Sequence, residues 1–134
     1  MIRWTLVCTV ALALAGCGQR AATPAQQARD AVRVFLDACA HDEPLAATEL
    51  LTEPARQTFL RAPTTTAGCL AATNLDLRGA SDAVARRALQ DARVTVTHLH
   101  GVYAVALIAA PGGGRGGTQL DDVGGDWQLA GAID

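Results

Sequence analysis

The chain has 134 residues, with 13 acidic residues against 11 basic ones for a net charge of −2, and every basic residue is arginine. A mildly acidic chain without a basic cluster excludes the electrostatic footprint of a nucleic-acid binder, and of a protein held on anionic lipid by charge alone.

Met1, Ile2 and Arg3 precede an apolar run from Trp4 to Ala15. A positive start, a short apolar stretch and small residues at its end are the layout of an export signal. At about 12 residues the run falls short of the ~20 that cross a bilayer, so it reads as a signal core rather than a span. No later segment is long and apolar enough to span either.

The run closes on Leu14-Ala15-Gly16-Cys17. These residues resemble the lipobox of bacterial lipoproteins in all four positions. The resemblance implies cleavage between Gly16 and Cys17, and conversion of the Cys17 thiol to a thioether carrying diacylglycerol. Small residues let a peptidase reach the backbone, and buried acyl CH₂ groups at ~0.8 kcal/mol each make two- or three-chain anchoring stable. Cys8 is discarded with the signal. The expected organisation is a signal peptide over 1–16, a lipidated cysteine with a short tether over 17–24, and one α+β domain over 25–134. The expected location is the extracytoplasmic face of the cell membrane, with the lipid anchor as the membrane contact.

Loss of Arg3 with the signal leaves 10 basic residues against 13 acidic ones in a mature chain of 118 residues, a net of −3. A domain of that size buries roughly 65 % of its unfolded surface, which makes a modest core. Two cysteines remain besides Cys17, namely Cys39 and Cys69. Outside the cytoplasm paired thiols oxidise, and these two allow one intramolecular connectivity. Closing that loop stabilises the fold by about 3.6 kcal/mol in the chain-entropy treatment. Neither cysteine has a histidine at ligand spacing, so a zinc site is not expected.

Thr23 and Pro24 read as cap and first turn of a helix over 24–40, in which Ala28, Val32, Phe35, Leu36 and Cys39 recur at helical spacing. His41 to Pro44 breaks it. A second helix is expected over 44–51, with Leu45, Ala46 and Leu50 apolar. A third follows over 53–61, capped by Thr52 and opened by Pro54. Thr64 to Thr66 reads as polar connection, and Ala67 to Ala72 as one helical turn around Cys69. Ser81 caps a last helix over 82–90, with Val84, Ala85 and Leu89 facing inward.

The second half changes period. Arg93 to His98 alternates, and Tyr103 to Ala109 places Val105 and Leu107 on one face against Ala104, Ala106 and Ile108 on the other, with Gly101 at the hairpin. Pro111 to Gly117 reads as a flexible connection. Thr118–Val123 and Trp127–Ile133 form a second hairpin around Gly124-Gly125, with Trp127, Leu129 and Ile133 sharing the helix-facing side.

Helices first and an antiparallel meander second make this α+β, with N-terminal helices packed on a curved C-terminal sheet. The stretches that carry a further resemblance are Ala31-Val32-Arg33-Val34-Phe35-Leu36-Asp37-Ala38-Cys39, Glu49-Leu50-Leu51-Thr52-Glu53-Pro54-Ala55-Arg56, Ala92-Arg93-Val94-Thr95-Val96 and Gly125-Asp126-Trp127-Gln128-Leu129. In order and periodicity they resemble small lipoproteins of high-GC Gram-positive bacteria with a nuclear transport factor 2-like domain, over nearly all of 25–134. That superfamily includes ketosteroid isomerases and polyketide cyclases. The resemblance implies a cone-shaped fold, and a cysteine near the end of the first helix paired with one after the third. It bears on fold more than on function.

The candidate chemistry is thin. His98 and His100 sit two apart on a strand and so share a face. A metal site there needs a third ligand, for which His41, Asp42 and Asp91 are the plausible donors, and no metal or cofactor is expected. Enzymes of the superfamily work inside the cone with an Asp or His base. The positions that such a role could use are His98, His100 and Tyr103, oriented by Asp30 or Asp37. The simpler roles are Tyr103 packing against the first helix and the aspartates on its wet side. Phe35, Phe59, Tyr103 and Trp127 all fit core positions, and no base–orienter pair is visible, so no catalytic residue is assigned. The run Pro111 to Thr118 lacks the lysine and the following helix of a phosphate loop. There is no serine nucleophile elbow.

The leading expectation is a non-catalytic, membrane-tethered module that binds a ligand or a membrane or cell-envelope protein through a small pocket or its open sheet face. The alternatives are a small cyclase- or isomerase-like enzyme, and a structural or stress-related surface protein.

Overall fold

The structure is a computed structural model that describes residues 22–133. The expected signal over 1–16, the expected cleavage between Gly16 and Cys17 with lipidation of Cys17, and most of the expected tether lie outside the described residues. Five helices, α1 (Pro24–Ala40), α2 (Pro44–Glu49), α3 (Glu53–Leu60), α4 (Thr65–Thr73) and α5 (Asp82–Asp91), precede four strands, β1 (Arg93–His100), β2 (Tyr103–Ala109), β3 (Arg115–Val123) and β4 (Asp126–Ala132). The strands form one antiparallel meander in the order β1-β2-β3-β4, so the chain is α+β.

Local chemistry explains the helix starts. Thr23 and Gln26 form a capping box in which the Thr23 hydroxyl accepts from the Gln26 amide at 3.2 Å and the Gln26 side chain accepts from the Thr23 amide at 2.9 Å. Prolines open α1, α2 and α3, where a missing N–H costs no hydrogen bond. Helix α4 is longer than the single turn expected. Thr64 caps it by accepting from Ala67 N at 3.0 Å, so the polar threonines that read as connection are its cap and first turn.

The buried stripe of α1 is Ala28, Val32, Phe35, Leu36 and Cys39, as its spacing predicts. Val84, expected to face inward, does not, and Leu45 is an apolar helix residue left in solvent. Val84 is 58 % exposed, because the buried stripe of α5 runs Ala85, Ala88, Leu89 and leaves Val84 beside it. Leu45 is 81 % exposed, and its helix buries Ala47 instead.

The sheet turns follow their glycines. Gly124 and Gly125 have φ of 63° and 95°, which is the two-positive pattern of a type I′ hairpin between Val123 and Asp126. Register slips twice. Val96 pairs with Ala106 and His98 with Val105, so Thr97 is an extra residue and the inward side chain after Val96 is Leu99. Likewise Leu120 pairs with Leu129 but Gln119 with Gly131, which makes Ala130 the extra residue. That second slip corrects the expected face of Ile133. Its N–H bonds to Gly117 O at 3.2 Å, and its side chain stands beside Gly117 on the face away from the helices, opposite Trp127 and Leu129.

The glycine-rich connection is also shorter than expected, since Arg115, Gly116 and Gly117 already pair with Ala109, Ile108 and Leu107. The chain leaving α4 crosses closely over this start of β3. A Cβ on Gly114 would lie 2.6 Å from Asp76 O, and one on Gly116 would lie 2.7 Å from Leu75 N. Glycine is needed there for close approach of two backbones.

One core runs through all the elements, with Phe35, Leu36, Leu51, Leu89, Ile108, Leu120 and Leu129 among its fully buried side chains. Phe35 and Phe59 meet edge to face with centroids 6.4 Å apart. Cys39 at the end of α1 and Cys69 in α4 form a disulfide, both fully buried, with Cα atoms 6.1 Å apart. The buried hydroxyls of Thr73 and Thr118 donate to Cys69 O and Gly131 O at 2.9 and 3.0 Å, so neither is left without a partner.

Candidate functional site

An open cleft of about 670 Å³ lies between α1, α2 and the β3–β4 turn. The buried stripe of α1 leaves a second row, Gln27, Asp30, Ala31 and Val34, which forms one wall. Ala46, Glu49 and Leu50 at the end of α2 form another, and Gly125, Asp126, Trp127 and Gln128 close the third side. Val34, 53 % exposed, half-buried Leu50 and the small uncovered part of Trp127 give the cleft an apolar lining. Asp30, Glu49 and Asp126 give it three carboxylates, and among the described residues no basic one lines it. Asp30 has a loose ion pair with Arg29 at 4.0 Å, while Glu49 and Asp126 have none among the described residues.

The third wall carries main-chain groups as well. Strand β4 is at the edge of the sheet, and the chain after α2 covers it at one point only. There Leu129 N donates to Leu50 O at 2.8 Å and Leu129 O accepts from Thr52 N at 2.9 Å. Main-chain groups alternate in direction along a strand, and the β3–β4 register is unbroken from Val123/Asp126 to Leu120/Leu129. Trp127, two residues before Leu129, therefore directs its N–H and C=O outward at the cleft. Among the described residues neither group has a main-chain or side-chain partner beyond the sheet.

The positions expected to carry a pocket or surface site lie elsewhere. His98, His100 and Tyr103 come together on the sheet face away from the helices, where His98 pairs with Val105 and His100 with Tyr103. Both histidines are exposed and Tyr103 is 37 % exposed. Tyr103 does not pack on α1. It shares the parity of Val105 and Leu107, which face out, whereas Ala104, Ala106 and Ile108 face the helices. Had Thr97 taken a regular paired position, strict alternation from Val94 and Val96 would have pointed both imidazoles at the helices. Asp30 and Asp37 are on α1, across the sheet from these three, so the arrangement assembles no base–orienter pair from them. No group of three or more His, Cys, Asp or Glu among the described residues is placed to hold a metal ion.

Comparison with known proteins gives no match: no protein-family model, no curated protein and no solved structure matches this chain.

The cleft residues were only partly legible beforehand. Val34 is an apolar residue off the main stripe of α1, and Asp126 is an acid beside Trp127, the one tryptophan among the described residues. Those are signals of a lined surface, but nothing in their spacing joins Glu49 to Asp126. Tertiary packing does.

Proposed function

We propose that the protein is a non-catalytic binding module, anchored through Cys17 to the outer side of a membrane, that engages its partner at the cleft between α1, α2 and the β3–β4 turn. The observation that carries the binding reading is the cleft itself, since an open concavity with apolar walls and a few polar groups, built on rigid elements, is the usual form of a recognition site. The lipobox-like Leu14-Ala15-Gly16-Cys17 supports the anchor. The Cys39–Cys69 disulfide suits an oxidising compartment. The α+β order and the two strand bulges are compatible with the cone-shaped nuclear transport factor 2-like fold, to which we assign the domain. A tether confines the domain near the bilayer and raises its effective concentration for membrane and envelope proteins.

Two measurements test this. Cys17→Ser, lacking the thiol that takes the lipid, is expected to stay uncut at its precursor mass and to carry no acyl label. A photo-cross-linking residue at Val34 is expected to join the protein to a partner in its own membrane, while one at Leu107 on the far sheet face does not. Membrane retention of the serine variant at the mature mass would refute the anchor, and cross-links confined to Leu107 would move the site to the sheet face.

A further inference from the structure

We infer that the cleft takes an extended, basic peptide segment of a partner protein, an inference that rests on the cleft being the binding site. Three observations converge on that occupant. The first is charge: Asp30, Glu49 and Asp126 line the cleft, only Asp30 has an ion pair, the loose one to Arg29, and no cation among the described residues lines the cleft itself. The second is their spacing. They do not cluster closely enough to hold one metal ion, so they suit cationic groups distributed along a ligand rather than a single point charge. The third is the main chain. The outward N–H and C=O of Trp127 form a donor–acceptor pair on an edge strand, the arrangement by which an extended segment is added beside a sheet.

Side chains of such a segment alternate from one side to the other. Those on one side lie against Val34, Leu50 and the uncovered part of Trp127, while arginine or lysine on the other side meets the rim carboxylates. Two residues further along the same edge, Leu50 O and Thr52 N already bond Leu129 as a single parallel bridge. A second segment would continue that pairing toward the β3–β4 turn.

The test uses the full-length protein in detergent micelles and a short, capped, fluorescent peptide of alternating leucine and arginine, read by anisotropy. The expected result is saturable binding that weakens with added salt. Glu49→Gln and Asp126→Asn are exposed, nearly isosteric changes that leave folding intact. Each is expected to lower affinity by about two- to fivefold, the usual worth of an exposed charge pair. A leucine–glutamate peptide should not bind, and backbone N-methylation of the arginine peptide should weaken it. Undiminished binding to the double variant overturns the proposal, as does equal binding of the N-methylated peptide or displacement by spermidine at matched charge. If no peptide binds while Val34 still cross-links to a partner, the basic-peptide assignment fails and the cleft survives as a site. If Val34 does not cross-link either, both fail.

Discussion

The carbonyl oxygen of Thr73 lies against the α-carbon of Gly116, nearer than any side-chain carbon there could tolerate. The chain leaving α4 is thereby seated on the first turn of β3. Asp76 N bonds to Arg115 O at 3.3 Å and the Asn74 side chain donates to Ile133 O at 3.1 Å. Gly116→Ala must push main chain against main chain, and is expected to destabilise by about 2–3 kcal/mol. Gly117→Ala meets chiefly the movable Ile133 side chain, at 2.8 Å, and should cost clearly less. Urea denaturation of the two variants compares them, and equal losses would show that the crossing is not tight.

Arg33 joins the first and last helices. Its guanidinium donates to Leu89 O at 3.0 Å, to Gln90 O at 2.8 Å and to Ala92 O, which are carbonyls at the C-terminal end of α5. A cation there satisfies orphan acceptors and opposes the helix dipole. Arg33→Met should lower stability by about 1–3 kcal/mol, or roughly 4 °C in Tm per kcal/mol. Arg33→Lys should not restore it, because an ammonium cannot span three carbonyls. The nearby ion pair to Asp37 at 3.3 Å is half exposed and adds little, so Asp37→Asn is expected to be nearly silent.

The Cys39–Cys69 bond closes a loop with a sequence separation of 30. The double alanine variant is expected to lose about 3.6 kcal/mol on loop entropy alone. Both sulfurs are buried, so reductant should act slowly on the native protein and quickly after denaturant is added. Thiol labelling against time measures this. Rapid reduction of the folded protein would contradict the burial.

Thr97 is surplus to the β1–β2 ladder. Its deletion leaves Val96 opposite Ala106 and Leu99 opposite Ala104, with no side chain changing face. The deletion variant should therefore fold, with stability within about 1 kcal/mol of the parent. His98→Ala and His100→Ala, on the exposed face, should fall within about 0.5 kcal/mol. A collapse of either histidine variant in a thermal melt would place these side chains in a packed environment that the strand register does not give them.

Much of this protein follows from residue pattern alone. Helix starts at Pro24, Pro44, Glu53 and Asp82, and the hairpins at Gly101 and Gly124-Gly125, rest on caps, prolines and glycines that act within a few residues. The α1 stripe and the change from helical to strand period are likewise local. The Cys39–Cys69 pairing was legible from the count of cysteines together with the expectation of an oxidising compartment. Tertiary structure alone decided which way β1 and β4 face beyond their bulges, because one extra residue reverses every later side chain and leaves no mark in composition. That reversal put His98 and His100 outside and turned Ile133 to the far face. Tertiary structure also made the cleft. Asp30, Glu49 and Asp126 are far apart in the chain, and they come to line one space because helix packing on the sheet edge, a long-range burial of apolar surface, places them there.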